Sequence, residues 1–384
     1  MTAASERSRV SLFVAPAAVA LVVAAIALQS GVGQRPVARE WLPVGDLAVA
    51  RAYASATVLA DGSVLVVGGL DGDARDHTIT RSELFEPLAA ASVPLSQDVL
   101  GRIHHTATRT GDLVVVTGGV ELRGKDWVAL DRTDVFDART RTWRTAGALA
   151  QARSDARATA LKDGRVLVAG GNDGPHMLTS VELFDPKIDQ WRTAAPLPSP
   201  RTQFTIATLP DGRVLVAGGL EAPGLPSASS ALYDAASDSW TPGPSLAIER
   251  VLHADAQLPS GAVLLIGGQN AAGGSVEIYD PRANAFAFFG TLVETRMLAQ
   301  AVALPDGSVL VTGGLSPQRD AADFSPRATA ERYDPGRRAF EPIAAPADAR
   351  AFAKLAVLGG DVYQIGGVGR GERGVKTVEA LGWR

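Results

Sequence analysis

Seven arginines recur along this 384-residue chain: Arg51, Arg102, Arg153, Arg201, Arg250, Arg296 and Arg350, spaced 46 to 54 residues apart. A guanidinium is a planar, permanently charged fork of five N–H donors. A set of them can hold carboxylates or phosphates from outside, or satisfy loop carbonyls and neighbouring acids from within. What recurs in every copy is most simply required by every copy, so both readings stand. Residues that differ between copies are the sharper clue. Two places after the arginines stand Tyr53, His104, Asp155, Gln203, Leu252, Leu298 and Phe352. Four places after stand Ser55, Thr106, Arg157, Thr205, Ala254, Gln300 and Lys354. The first four copies are polar here, and the fifth and sixth are mostly apolar. A site with one polar and one apolar side suits a mixed ligand such as a peptide or glycan. The alternative is that these side chains pack or pair among themselves.

Other chemistry is sparse. His104, His105 and Asp155 offer acid–base groups within one stretch. There is no nucleophile–base pair, phosphate loop or metal-ligand spacing, and no cofactor motif. The run Asp71 to His77 has acidic spacing loosely like a calcium loop, with Arg75 where a ligand would be wanted, so no metal is expected. Without cysteines, disulfides, thiolate metal sites and a Cys nucleophile are excluded. A net charge of -4 with both signs interspersed argues against a nucleic-acid partner. Trp127 is the tryptophan outside any recurring position and away from the C-terminus. An unscheduled aromatic in a variable segment is a binding hot-spot candidate, or plain loop packing.

The elements that must position these residues repeat too. A Gly-Gly pair follows each arginine by 16 or 17 residues, at Gly68, Gly118, Gly170, Gly218, Gly267, Gly313 and Gly366. Each pair closes an apolar–turn–apolar segment such as Leu161 to Gly171 or Leu209 to Gly219. Asp61-Gly62, Asp163-Gly164, Asp211-Gly212 and Asp306-Gly307 predict tight type I′ turns, with Thr110-Gly111, Ser260-Gly261 and Gly359-Gly360 as looser equivalents. Ten residues before the arginines come Trp41, Ser92, Trp143, Trp191, Trp240, Phe286 and Phe340, with Ser92 the departure. Six residues further upstream lies the acid of Phe85-Glu86, Phe136-Asp137, Phe184-Asp185, Tyr233-Asp234, Tyr279-Asp280 or Tyr333-Asp334.

Gly-Gly after an apolar strand, then Phe/Tyr-Asp, then Trp six residues on, resembles the kelch repeat, from Glu40 to Arg384. The resemblance implies an all-β, seven-bladed β-propeller over 40–384 with four strands per blade. The seventh copy ends too early for its fourth strand, while Trp41 has no blade before it. Residues around Glu40 to Pro43 are therefore expected to complete the last blade. The spacing from Gly-Gly to the following acid runs 18, 19, 15, 16, 13 and 21, so length variation falls on the arginine-bearing face. Insertions confined to one face of a repeat protein mark the binding face. The resemblance also implies two rival roles. One is a non-catalytic recognition module for a protein, peptide or glycan. By likeness to kelch domains that bind acidic peptides, Arg51, Arg102, Arg153, Arg201 and Arg350 would form an anion-seeking rim with Tyr53, His104, Asp155, Arg157, Gln203, Lys354 and the nearby Trp127. The other is a sugar-active enzyme of the sialic-acid mutarotase type. Galactose oxidase-like copper chemistry needs a cysteine-linked tyrosine, which this chain lacks.

Ahead of the repeats, Val10 to Leu28 is uncharged and apolar, preceded by Arg7 and Arg9. At 1.5 Å per residue a helix of this length spans about 28 Å. It reads as a signal anchor with tail 1–9 and linker 29–39, holding the propeller outside the cytoplasmic membrane. A cleaved signal ending near Ala25-Ile26-Ala27, releasing a secreted or periplasmic protein, is the alternative.

Overall fold

A computed structural model describes residues 40–382 apart from 72–76, 271 and 317–324. Among the described residues its blades are seven antiparallel sheets around an axis, six of four strands and one of five, with two further two-stranded hairpins. Blade 3 is typical: Arg157–Ala160, Val166–Ala169, Val181–Asp185 and Gln190–Ala194, in spatial order from the axis outward. Each second strand is a run such as Val64–Val67 or Val263–Ile266, buried on both faces because a blade is covered on both sides. First strands are half-buried because their inner edge faces the axial channel.

The core is divided among the blade junctions. Seven apolar clusters each join one blade to the next. Leu47, Val378 and Ile365 meet Val64, Val66 and Phe85 where blade 7 closes on blade 1. No blade can bury its faces alone, so the ring is the unit that folds. Closure is by the N-terminal strand: Trp41–Ala52 pairs antiparallel with Val375–Leu381, Trp41 opposite Leu381. Its end also touches Leu70–Asp71 of blade 1.

The turns differ from expectation. Gly62, Gly164, Gly212 and Gly307 have φ between 81° and 94°, but the preceding aspartates are not left-handed. Leu209 pairs with Arg213 across three residues, and the Gly212 N–H donates to the Leu209 carbonyl at 2.9 Å. That is a type I turn followed by a glycine bulge, with Pro210 favoured at its second position. The aspartate accepts the N–H two residues on, as Asp211 does from Arg213 at 3.0 Å. Gly359 and Gly360, expected to be looser, make the two-residue turn with both φ positive, at 60° and 90°.

Residues 1–39, including the helix expected over 10–28 with tail 1–9 and linker 29–39, lie outside the described residues, as do 72–76 of the acidic run. The single-pass placement in the cytoplasmic membrane is corrected: among the described residues no helix is long and apolar enough to cross a membrane. The helical element described is the 3-10 turn Arg370–Glu372.

Candidate functional site

The seven arginines do not line a pocket. Arg51, Arg102, Arg153, Arg201, Arg250, Arg296 and Arg350 are each at most 2% exposed. Arg250 shows the arrangement in full. Its Nη1 donates to the carbonyls of Gly267 and Ser275, and its Nη2 to Glu277 Oε1 at 2.7 Å. Glu277 also accepts the backbone N–H groups of Ala247 and Ile248. Glu83, Asp134, Glu182, Glu331 and Glu379 take the same place for Arg51, Arg102, Arg153, Arg296 and Arg350. Each guanidinium thus ties its own Gly-Gly loop to the third strand. Burial pulls the guanidinium pKa down in Arg51, Arg102, Arg153, Arg201, Arg250 and Arg350, for Arg102 to about 10 against the opposing charge of Asp134.

The arginine backbone reaches the neighbouring blade. The Arg201 carbonyl accepts the Gly171 N–H at 2.9 Å. A Cβ on Gly170, whose φ is +60°, would stand 2.4 Å from that oxygen. The same approach, under 3.0 Å at Gly68, Gly118, Gly170, Gly267 and Gly313 and looser at Gly218 and Gly366, favours glycine there. The Phe/Tyr-Asp acids are likewise structural: Asp185 caps its turn by accepting the Lys187 N–H at 2.9 Å. The following tryptophan packs on the aromatic, Phe184 and Trp191 having ring centroids 5.0 Å apart.

Blade 4 breaks the pattern. Ala231 occupies the acid's position, and Arg201 is held instead by Glu221 at 2.8 Å, from the hairpin Leu220–Ala222 and Leu225–Pro226. Glu221 also accepts from Ser199, Ser227 and Ser229. Removing the half-buried Glu221 strands the buried Arg201 guanidinium. Glu221→Ala is expected to destabilise the fold by about 2–3 kcal/mol, and Ala231→Glu in that background to restore most of the loss. Urea unfolding of the two variants checks this; no recovery would mean that Glu221 is not the substitute acid.

The axis carries the open space. Around the mouth on the arginine-bearing face lies a cavity of about 680 Å³, lined by Tyr53, His104, Asp155, Gln203, Leu252, Leu298 and Phe352 and, deeper, by Arg157, Gln300 and Lys354. A second of about 450 Å³ lies further along and shares Ala107, Thr108, Ala158, Ile206 and Asp255 with the first. The seven rim residues all have φ between 50° and 60°. Each left-handed non-glycine residue costs about 1–2 kcal/mol, and the blades jointly hold them there. Leu298 N–H donates to the Leu252 carbonyl and Asp155 N–H to that of His104.

Electrostatically the rim is uneven. His104 Nδ1 lies 2.9 Å from Asp155 Oδ1, and Asn172 donates to the other carboxylate oxygen. Burial would raise the Asp155 pKa, but His104, Asn172 and Arg157 together hold it below its ordinary value. Tyr53 lies between His104, tilted at 5.3 Å, and Phe352, edge-on at 4.8 Å. Arg157 and Lys354 make no hydrogen bond or ion pair among the described residues. Burial, then the charge of Arg157, pull the Lys354 pKa down to about 8, while Asp255 pulls the other way.

The structure therefore gathers Tyr53, His104, Asp155, Arg157, Gln203 and Lys354 at one cavity. Arg51, Arg102, Arg153, Arg201 and Arg350 are sealed inside the blades. Trp127 is 45% exposed on the hairpin Val120–Arg123 and Asp126–Ala129, opposite Leu122, and does not line the cavity. His253 is buried and His105 half-buried, and both are held neutral, bonded through Nε2 to Thr205 and Ser55 of the preceding blades. Asp255 was not among the expected residues. Its signal was available, since the fifth place after the arginine otherwise holds Ala56, Ala107, Ala158, Ile206, Ala301 and Leu355.

A family model described as the kelch motif matches residues 155–198. Among solved structures, a fungal alcohol oxidase of the AA5 family in complex with copper is similar, with a TM-score of 0.71 at 19% identity over 90% of this chain and 76% of that one. No curated protein sequence matches. At this identity the likeness speaks for the fold. Copper belongs to that protein: this chain has no cysteine, and among the described residues no group of three His, Asp or Glu side chains converges as a ligand set.

Proposed function

Because the chain is a kelch-repeat β-propeller protein, we propose that it is a recognition module whose ligand enters the axial mouth and presents an acidic group to Arg157 and Lys354. The ligand class is a peptide or protein segment, or a glycan, bearing a carboxylate. One observation carries this reading: two cations stand unpaired in a cavity whose other arginine neighbours are spent inside the blades. Tyr53 and Phe352 offer an aromatic wall beside them, and Leu252 and Leu298 an apolar one, for the remainder of the ligand.

Binding would depend on pH through Lys354. A lysine whose pKa lies near 8 is an ammonium below that value and neutral above it. Affinity for an anion therefore holds below pH 8 and falls as pH rises through 8. An ordinary lysine would hold to above 10.

The test is a fluorescence-polarisation series with acidic, neutral and basic hexapeptides and with sugar acids. Acidic members are expected to bind. Arg157→Ala with Lys354→Ala is expected to weaken them about 100-fold or more, since each charge-assisted hydrogen bond contributes about 1.5–3 kcal/mol. Equal binding of basic and acidic peptides, or no loss in the double variant, overturns the reading. A second reading is favoured by the His104–Asp155 pair at the same mouth: acid–base catalysis on a sugar ring. Saturable interconversion of sugar anomers, lost in Asp155→Asn, would put that reading first.

A further inference from the structure

We propose that Lys354 is a nucleophilic amine placed to capture a carbonyl-bearing organic acid, such as a 2-oxo acid, as an imine, with Arg157 seating the acid's carboxylate. This goes beyond reversible anion recognition and rests on the axial cavity being the ligand site. The chain has five lysines. Lys125, Lys162, Lys187 and Lys376 are exposed on the outside, where Lys162 donates to the Pro210 carbonyl and Lys376 pairs with Asp46. Lys354 alone lines the cavity, at the start of the innermost strand Lys354–Leu358.

Its surroundings favour the neutral amine. The cavity wall from its own and the flanking blades is uncharged, with Ala54, Ala299 and Ala301, the Phe352 ring and the polar Ser55 and Gln300. The charged and titratable groups facing the channel are Tyr53 from blade 1, His104 and the neutral His105 from blade 2, Arg157 and the His104-paired Asp155 from blade 3, and Asp255 and the neutral His253 from blade 5. Asp255 stabilises the ammonium, whereas burial and Arg157 oppose it more strongly. With its pKa pulled down to about 8, Lys354 carries a far larger neutral fraction at pH 7 than an ordinary lysine.

The chemistry balances without an added oxidant or reductant. The amine nitrogen attacks the carbonyl carbon, forming the C–N bond as the C=O π electrons move to oxygen. A proton passes from nitrogen to that oxygen. The nitrogen lone pair then forms the C=N bond as the C–O bond breaks, the remaining N–H proton passes to the departing oxygen, which leaves as water by way of the open channel, and the imine remains. Arg157 gives such a molecule a second handle: its guanidinium has no protein partner to give up when it takes a carboxylate.

The test traps the imine. The whole chain is incubated with glyoxylate and borohydride at pH 7.5 and modified lysines are mapped by peptide mass. Lys354 is expected to be labelled at least tenfold faster than each of the four exposed lysines, with a half-maximal pH near 8. The adduct disappears in Lys354→Arg. In Arg157→Leu the ratio of glyoxylate to acetaldehyde labelling falls about tenfold, because acetaldehyde has no carboxylate to seat. Labelling of Lys354 no faster than the surface lysines, or an unchanged ratio, overturns the proposal. If glyoxylate displaces an acidic peptide yet leaves Lys354 unlabelled, the imine is overturned and anion recognition stands. If it neither displaces nor labels, both fall.

Discussion

Replacing Arg250 with alanine is expected to cost about 3–5 kcal/mol of folding stability, because it leaves a buried carboxylate without its counter-charge. Glu277 is 1% exposed. It would keep the N–H groups of Ala247 and Ile248, while the carbonyls of Gly267 and Ser275 lose the guanidinium and keep only the Asn270 amide and the Gly267 N–H as donors. Arg250→Lys should recover little, since one ammonium cannot span two carbonyls and a carboxylate in the geometry of a planar fork. Arg250→Met with Glu277→Leu should be milder than Arg250→Ala, as removing both charges removes the penalty of stranding one. Urea unfolding of the variants checks the order. A loss below 1 kcal/mol for Arg250→Ala would mean that the guanidinium does not hold the Gly-Gly loop.

The same arginines show what the sequence carried legibly and what it did not. Their period was plain, and with the Gly-Gly pairs it specified seven blades and the strand order. Which way a guanidinium points is not a property of its own position. It depends on the partner acid, and the distance from arginine to acid varies with the loop between them: Arg51 to Glu83 but Arg250 to Glu277. Counted back from the aromatic instead, the acid falls in register. Glu83, Asp134, Glu182, Glu277 and Glu331 each stand two residues before Phe85, Phe136, Phe184, Tyr279 and Tyr333. Strand pairing explains the regularity, since both residues lie on one third strand with no loop between them.

The mouth was legible in a different way. Side chains on the first strands reach the axis because the blades are radial, so the places two and four after each arginine had to line it. The left-handed backbone at Leu252, Leu298 and Phe352 was not readable, because such bulky residues avoid that region unless the surroundings impose it. Nor was the loneliness of Arg157 and Lys354. Sequence lists the charges in a ring but not which of them find partners across it.

Ring closure rests on a residue whose role was visible in advance, and Trp41→Ala is expected to cost about 3–5 kcal/mol. Trp41 is 6% exposed and packs with Leu304, Leu310 and Ala330 of blade 6 and with Val362 and Leu381 of blade 7. Its strand alone completes blade 7, so the loss should appear first there, as faster hydrogen exchange of Val378–Leu381 before global unfolding. Uniform exchange across all blades would mean that the ring does not open at this seam. A converse change is specific to this seam. Trp143 and Trp191 donate through Nε1 to Ser82 and Thr133 of the preceding blade, at 3.0 and 2.9 Å, but the buried Trp41 Nε1 has no partner. Ala330 stands at the place of Ser82 and Thr133, next before the acid Glu331. Ala330→Ser should therefore supply the acceptor and raise stability by about 1 kcal/mol. A loss instead would mean that the indole is turned differently in the closing blade than in the blades it copies.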